Sequence, residues 1–319
     1  MPIPFSIPSF SIVNHDLGFQ CVNRDMEIFW DHNEQVNWEA LADRARAPMS
    51  QRWIYGAVHA ALGGQVHRAV IRKDGAVVAL CQCLIRRIGG MAHLSLATNG
   101  PLWLGDCERA RVLSLIRRTL PAPHPRICLF TLTDPVKSLR LVPMATPRAH
   151  AILPLPTTMQ FLHGKWRNAL RKAEQSNLHT RHISCPSAAL APLLRKDAKQ
   201  QIAKSYRALP AAFTRQWHAL SPDDLRLITV SKDHETLATA LFLRHGNTAT
   251  YHIAQTTPQG RKYSAARLIL WCAFQDFSDR GVQQIDLGAI DTANAPGLAR
   301  FKLGTGAKTV RAGPTVLAI

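Results

Sequence analysis

Apolar residues along the chain follow two periodicities, one of helices and one of strands, and these alternate in an order that occurs twice. In the first half, Gln51 to Leu62 carries the i, i+3, i+4 spacing of an amphipathic helix and ends at Gly63-Gly64, a pair suited to a left-handed C-terminal cap. Three β-rich runs follow, Val66 to Arg72, Ala76 to Arg86 and Met91 to Ala97, separated by Lys73-Asp74-Gly75 and Gly89-Gly90. Such short glycine-containing breaks between alternating runs predict tight antiparallel hairpins. A helical pattern from Glu108 to Leu120 and a buried-looking strand from Arg126 to Leu132 complete the set.

The second half repeats the order. A basic helical segment near Leu193 to Leu209 precedes the runs Leu225 to Val230, Thr236 to Arg244 and Thr248 to Ala254. Ser264 is placed to cap a helix that runs to Arg280 and stops at Gly281, before a strand from Val282 to Leu287. Pro147, Pro154 and Pro156 break regular structure between the copies, which predicts units at 1–152 and 153–319, the second carrying a basic helical segment over 163–209. The expected class is α+β, with mixed, mostly antiparallel sheets flanked by helices. Helix, three-strand meander, helix and strand in this order resemble the GNAT-type acyltransferase fold, here in two tandem copies.

Composition places this pattern in a folded chain. Of 319 residues 46% are hydrophobic, and seven tryptophans are spread from Trp30 to Trp271, so the net charge of +18 belongs to a protein with a core, not to a disordered one. Surface charge of that sign favours polyanions: nucleic acid, phosphate-rich cofactors or anionic lipid. Seven cysteines, an odd number, and the absence of a basic and then apolar leader in Met1 to Ser11 point to a reducing cytoplasm without a disulfide framework. No continuously apolar stretch approaches the ~18 residues of a membrane span, so stable membrane insertion is not expected. The charge is also unevenly placed. Between Lys165 and Arg207 ten Lys and Arg face only Glu174 and Asp197. Within it, Trp166, Ala169, Leu170 and Ala173 form an apolar stripe that leaves Arg167 and Arg171 together on a neighbouring face, where guanidinium groups can meet phosphates.

Several chemistries lack their residues. The chain has no Gly-x-Ser-x-Gly elbow and no Gly-x-Gly-x-x-Gly, and in the phosphate-loop-like stretch up to Lys308-Thr309 the two required glycines are Lys302 and Ala307. Cys81-x-Cys83 shares one strand face without a second ligand pair, which fits buried strand thiols and no metal; His179-x-x-His182 reads as two polar loop residues.

What remains is Ile285-Asp286-Leu287-Gly288 and then Gly297-Leu298-Ala299-Arg300-Phe301-Lys302-Leu303-Gly304-Thr305-Gly306. With Lys165-Trp166-Arg167-Asn168 opening the second half, and Gln51-x-Trp53 and Gly100-Pro101-Leu102-Trp103 in the first, this resembles the Fem-type (FemABX-like, FemAB-like) transferases over about residues 35–319. These are tandem GNAT-fold proteins that include builders of peptidoglycan cross-bridges from aminoacyl-tRNA. The resemblance implies transfer of an activated acyl group to an amine without a covalent enzyme intermediate, so the main catalytic need is a stabilised tetrahedral oxyanion. It implies Lys302 for that oxyanion or a donor phosphate, with Phe301 shaping the donor channel. Asp286 would orient the amine, accept its proton or cap a turn. Trp166, Arg167, Arg171, Lys172, Arg300 and Gly304 are the candidates for donor or substrate contact.

The chain departs from the family pattern at Thr305, where an aromatic is usual, and lacks a long inserted coiled-coil arm, although part of Thr158 to Leu209 could form a short one. Gln255, Gly260 and Ser264 match an acyl-CoA pyrophosphate loop only loosely, which favours another donor. The expectation is an aminoacyltransferase using aminoacyl-tRNA, with no permanently bound cofactor and an amine-bearing small molecule or peptide as acceptor. The alternatives are an acyl-CoA or acyl-carrier-protein donor, or a non-catalytic RNA-binding protein on this fold.

Overall fold

A computed structural model describes residues 11–15, 18–23, 26–185 and 187–319, with backbone only for residues 11–23 and residue 187. The side chain of Cys21 and the segment from Met1 to Phe10, on which the leader expectation rests, lie outside the described residues. In chain order the first elements are β1 (Ser11–His15), β2 (Gly18–Asn23), β3 (Met26–Trp30), α1 (Gln35–Arg44), α2 (Trp53–Ala61), β4 (Gln65–Lys73), β5 (Ala76–Ile88), β6 (Ala92–Thr98), β7 (Leu102–Trp103), α3 (Arg109–Thr119), β8 (Arg126–Thr131) and β9 (Leu141–Ala145). There follow β10 (Ala149–Pro154), α4 (Gly164–Glu174), β11 (His179–Ser184), α5 (Ser187–Ala203), α6 (Ala211–Leu220), β12 (Leu225–Lys232), β13 (Glu235–His245), β14 (Thr248–Thr256), α7 (Pro258–Lys262), α8 (Ala265–Asp279), β15 (Gln284–Ile290), α9 (Pro296–Leu303), β16 (Lys308–Arg311) and β17 (Thr315–Ala318).

The fold is α+β and consists of two compact units, each built on one mixed sheet. The first sheet runs β1-β2-β3-β4-β5-β6-β8-β17-β9, with β7 on β5. Its meander β4-β5-β6 turns at Asp74 and Gly75, both at positive φ (50° and 78°), the geometry of a two-residue hairpin that follows strand twist. Helix α3 buries Val112, Leu113, Leu115 and Ile116 in this unit's core, and β8 returns parallel to β6 from His93↔Arg126 through Thr98↔Thr131. Cys81 and Cys83 are fully buried on β5, as their spacing predicts.

The second sheet runs β11-β12-β13-β14-β15-β10-β16. Helix α8 buries Leu268, Ile269, Leu270, Phe274 and Phe277, and α4 adds Trp166, Leu170 and Ala173 to the same core. The helices of the basic stretch form no projecting arm. On α5, Leu190, Leu193 and Leu194 are buried while Arg195, Lys196 and Lys199 face solvent, and α6 buries Phe213 and Trp217.

Several expectations change. The contacts divide the described chain so that Gly313–Ile319 joins the first unit and Pro147–Ala312, with Ala57–Gly63, forms the second. The expected limits of 152/153 and 319 therefore both move. Strand β10 crosses the first limit: its prolines suggested a break, but Pro154 stands at the strand end, beyond the pairing with β16, where its missing N–H removes no ladder bond to that strand. Strand β17 lies within the expected second unit but belongs to the first, pairing antiparallel with both β8 and β9 and burying Val316 and Ala318. It covers an edge of β8 that would otherwise present unpaired backbone groups. His179 and His182 sit on β11, not in a loop, and the helix expected at Leu193–Leu209 begins and ends earlier, at Ser187 and Ala203. Ser264 precedes α8 but has a left-handed backbone (φ 56°) and makes no side-chain cap.

Candidate active site

The second sheet opens at its parallel pair. Strands β14 and β15 are joined only at Thr248↔Gln284, Ala249↔Ile285 and Thr250↔Asp286, and beyond these residues they no longer pair. Each strand carries an irregularity there. Between Phe242↔Tyr251 and Leu241↔Ile253, β14 holds His252 as an extra residue. Between His150↔Ala289 and Ile152↔Asp286, β15 sets Leu287 and Gly288 against the single Ala151. Bulges bend a strand and re-aim its side chains, so the two strands part.

The Asp-x-Gly motif is the second of these bulges. Gly288 has φ +86°, a conformation that a Cβ makes costly, and its N–H donates to Asp286 Oδ1 at 2.7 Å. The same carboxylate lies 3.0 Å (Oδ2) and 3.2 Å (Oδ1) from His150 Nδ1. Asp286 thus does cap a turn, while also holding a histidine on the neighbouring strand.

Lys302 reaches the same bulge from a different element. The Phe301-Lys302 motif lies on the helix α9, which buries Ala299 and Lys302. Lys302 Nζ donates to Ala289 O at 2.8 Å, and a Cβ on Gly288 would stand 3.1 Å from it. Burial pushes its ammonium below the usual lysine range, and the Asp286 charge opposes that shift. Only 7% of the residue is exposed, so Lys302 is not a solvated surface lysine. An ammonium has three N–H donors, and the bond to Ala289 uses one.

Aromatic residues fix this helix to α4. Trp166 Nε1 donates to Phe301 O at 3.0 Å, the two rings lie 6.4 Å apart, and a side chain on Gly304 would meet Trp166 Cδ1 at 2.6 Å. Thr305, the departure from the family pattern, is fully buried; its hydroxyl donates to Lys302 O at 2.6 Å and accepts from the Ala307 N–H. A small hydroxyl thereby closes the last turn of the helix that carries Lys302. The guanidinium of Arg267, on the first turn of α8, lies 5.7 Å from the Phe301 ring centre and 6.0 Å from that of Trp166, with its buried Nε unpartnered.

The loop from β14 to α8 is closed on itself. Gly260 N–H bonds to Thr257 Oγ1, and the amides of Arg261, Tyr263 and Ser264 bond to the carbonyls of Thr257, Gln259 and Arg261. Gly260 is required there, since a Cβ would come within 2.3 Å of Leu237 O.

This arrangement has counterparts. Residues 163–308 match the family model described as an acetyltransferase (GNAT) domain. The second unit carries a GNAT-type acyltransferase domain. Over 91% of this chain and 97% of that one, the fold is similar to that of FemX, at a TM-score of 0.74 and 12% identity. It is also similar to L-PGS from Bacillus licheniformis (TM-score 0.53, 10% identity, 89% and 91% covered) and to a tandem GNAT protein from the clavulanic acid biosynthesis pathway (0.50, 13%, 92% and 98%). No curated protein matches the sequence. The fold is therefore a FemX-like tandem GNAT fold, and the protein is a GNAT-type acyltransferase.

Around the GNAT-type site the candidates separate. Lys302, Asp286, Phe301, Trp166 and Gly304 are brought to the bulge or to the helix that serves it. Arg171, Lys172 and Arg300 are exposed, whereas Arg167, one turn before Arg171 on α4, is partly buried and donates to Met159 O at 3.4 Å. His150 and Arg267 were missed by the motif reading. His150 stands in an apolar run between prolines, with no local signal; Arg267 is the lone cation of α8, at its otherwise apolar start, a sign that could have been followed. Among the described residues no group of three or more His, Cys, Asp and Glu side chains could hold a metal, and no helix is long and apolar enough to cross a membrane.

Proposed function

We propose that this acyltransferase works in the cytoplasm, moving an aminoacyl group from the ester of an aminoacyl-tRNA to an amine, in one step and without an acyl-enzyme. The observation that carries the choice of donor is the closed β14–α8 loop. A diphosphate is held at such a helix start by backbone amides that have no other partner, and here those of Gly260, Arg261, Tyr263 and Ser264 are bonded within the loop, which leaves it only the Ala265 and Ala266 amides at the start of α8. The resemblance to Fem-type transferases supports the same donor, as does the excess of basic residues after Lys165.

In this reading the amine attacks the ester carbonyl at the parting of β14 and β15. Lys302, buried and fixed by Ala289 O, stabilises the oxyanion, where one aimed donor in a dry site contributes a large share of rate. Phe301 and Trp166 wall the donor side, with Gly304 giving Trp166 its room. Arg171, Lys172 and Arg300 contact tRNA phosphates, and Arg167 lines the base of that surface. Asp286 positions the acceptor side. The acceptor is an amine-bearing small molecule or peptide.

The test incubates the protein with tritiated mixed aminoacyl-tRNA or tritiated acetyl-CoA and cell extract, and follows label into base-stable amides. Label is expected from the tRNA. Label from acetyl-CoA alone would overturn the donor, and salt-sensitive RNA binding with no amide from any donor would favour a binding protein on this fold.

A further inference from the structure

We propose that His150 is the general base that takes the proton of the attacking amine, with Asp286 as its positioning residue; this rests on the acyl-transfer reading above. His150 and Ile152 share one face of β10, and their cross-strand partners Ala289 and Asp286 share the same face of β15, so the imidazole and the carboxylate meet. The carboxylate cannot readily turn away, because Oδ1 is held by the Gly288 N–H while both oxygens face His150 Nδ1. A carboxylate accepts, so Nδ1 carries the hydrogen, and the neutral ring then presents a lone pair at Nε2. The His150 side chain is 35% exposed, enough for an amine to reach it. Ala289, opposite His150 in the ladder, is the residue whose carbonyl holds Lys302 Nζ, so base and oxyanion donor flank one bulge. Asp286 itself is a poorer base for the amine, since both of its oxygens are engaged.

The step balances. The neutral amine nitrogen bonds to the ester carbon and the carbonyl electron pair moves to oxygen, facing Lys302. Nε2 takes one N–H proton. The carbonyl then re-forms, the carbon–oxygen ester bond breaks, and the leaving hydroxyl receives the proton from the imidazolium, which returns to neutral.

Two measurements on the full chain test this. Long-range ¹H–¹⁵N correlation, with His150 assigned by its loss in His150→Gln, is expected to show the Nδ1–H tautomer in the wild type and loss of that preference in Asp286→Asn; an Nε2–H tautomer in the wild type overturns the proposal. Amide formation is then measured with both tritiated donors and a mixture of lysine-bearing peptides. His150→Ala is expected to lower turnover about 100-fold without changing the KM for the donor, and added imidazole is expected to restore part of it in His150→Ala but not in Lys302→Ala. Wild-type turnover in folded His150→Ala, or a loss that imidazole leaves unchanged, overturns the role. Transfer from acetyl-CoA alone rejects the tRNA donor yet still tests His150, and with no transfer from either donor the tautomer decides.

Discussion

The two units order their elements alike and differ where the parallel strands meet. In the first, β6 and β8 stay paired over six residues, from His93↔Arg126 to Thr98↔Thr131. In the second, β14 and β15 pair over three and then part, each bulged at the parting. The buried polar groups follow that difference. In the first unit one connected set is satisfied internally: Gln82 donates to Ser50 O and Arg52 O and accepts from Arg68 Nε, Gln51 bridges to Gln82 and Thr98, and Arg52 bonds Glu39 and Asp43. In the second unit the buried Lys302 and the partly exposed His150 stand at the opening with donor and acceptor capacity to spare. The same order of elements therefore carries a continuous parallel pair in one copy and a parted one in the other.

Substitutions can break this contrast. The largest effect is expected at Lys302: Lys302→Met should lower turnover about 100- to 1000-fold while raising the unfolding midpoint, because an ammonium that burial holds below its usual range is costly to keep in the folded state. A lowered midpoint would show that Lys302 supports the fold. His252, the bulge residue of β14, offers a pH test. Burial holds its imidazole at about 4 against an ordinary 6.5. As pH falls the unfolded chain takes up the proton near 6.5 and the folded chain only near 4, so stability is lost across that window, by up to about 3 kcal/mol. Urea midpoints between pH 7 and 4 should fall in the wild type and flatten in His252→Gln.

Smaller effects sharpen the comparison. Gln82→Leu strands several buried partners in the first unit and should cost about 2–3 kcal/mol of stability, with kcat unchanged where the protein stays folded; a lost kcat would end the division of labour. Gly288→Ala forces a Cβ into φ +86° and against Lys302, and should cost about 1–2 kcal/mol together with a drop in kcat, read by denaturation and turnover side by side. Arg171→Ala with Lys172→Ala should leave both sheets intact and make the slope of log affinity for tRNA against log salt shallower by about two; an unchanged slope would move the RNA contact elsewhere.

Local signals carried the meanders and the long helices. Alternation and Asp74-Gly75 specify β4-β5, and the stripe of Trp166, Leu170 and Ala173 specifies α4, because such elements are determined by neighbours within a few residues. Strands β10 and β17 were not legible as members of their sheets. Each is short and earns its place only by pairing with strands far away in sequence, β10 with β15 and β17 with β8. The site divides in the same way. The Asp286-x-Gly288 and Phe301-Lys302 motifs could be read as residues, but their geometry, a capped bulge and a buried ammonium on a helix, could not.

The sequence by itself determined the duplicated order of elements, the resemblance to tandem GNAT-fold transferases and the identity of Lys302 and Asp286 as residues to watch, since periodicity, turn chemistry and short motifs are local properties. Only the tertiary structure decided that one sheet closes and the other opens, that the last strand completes the first unit, and that His150 stands beside Asp286, 136 residues away. Those facts depend on strand register and backbone bulges, which are settled by contacts between distant segments and leave no mark in the residues on either side.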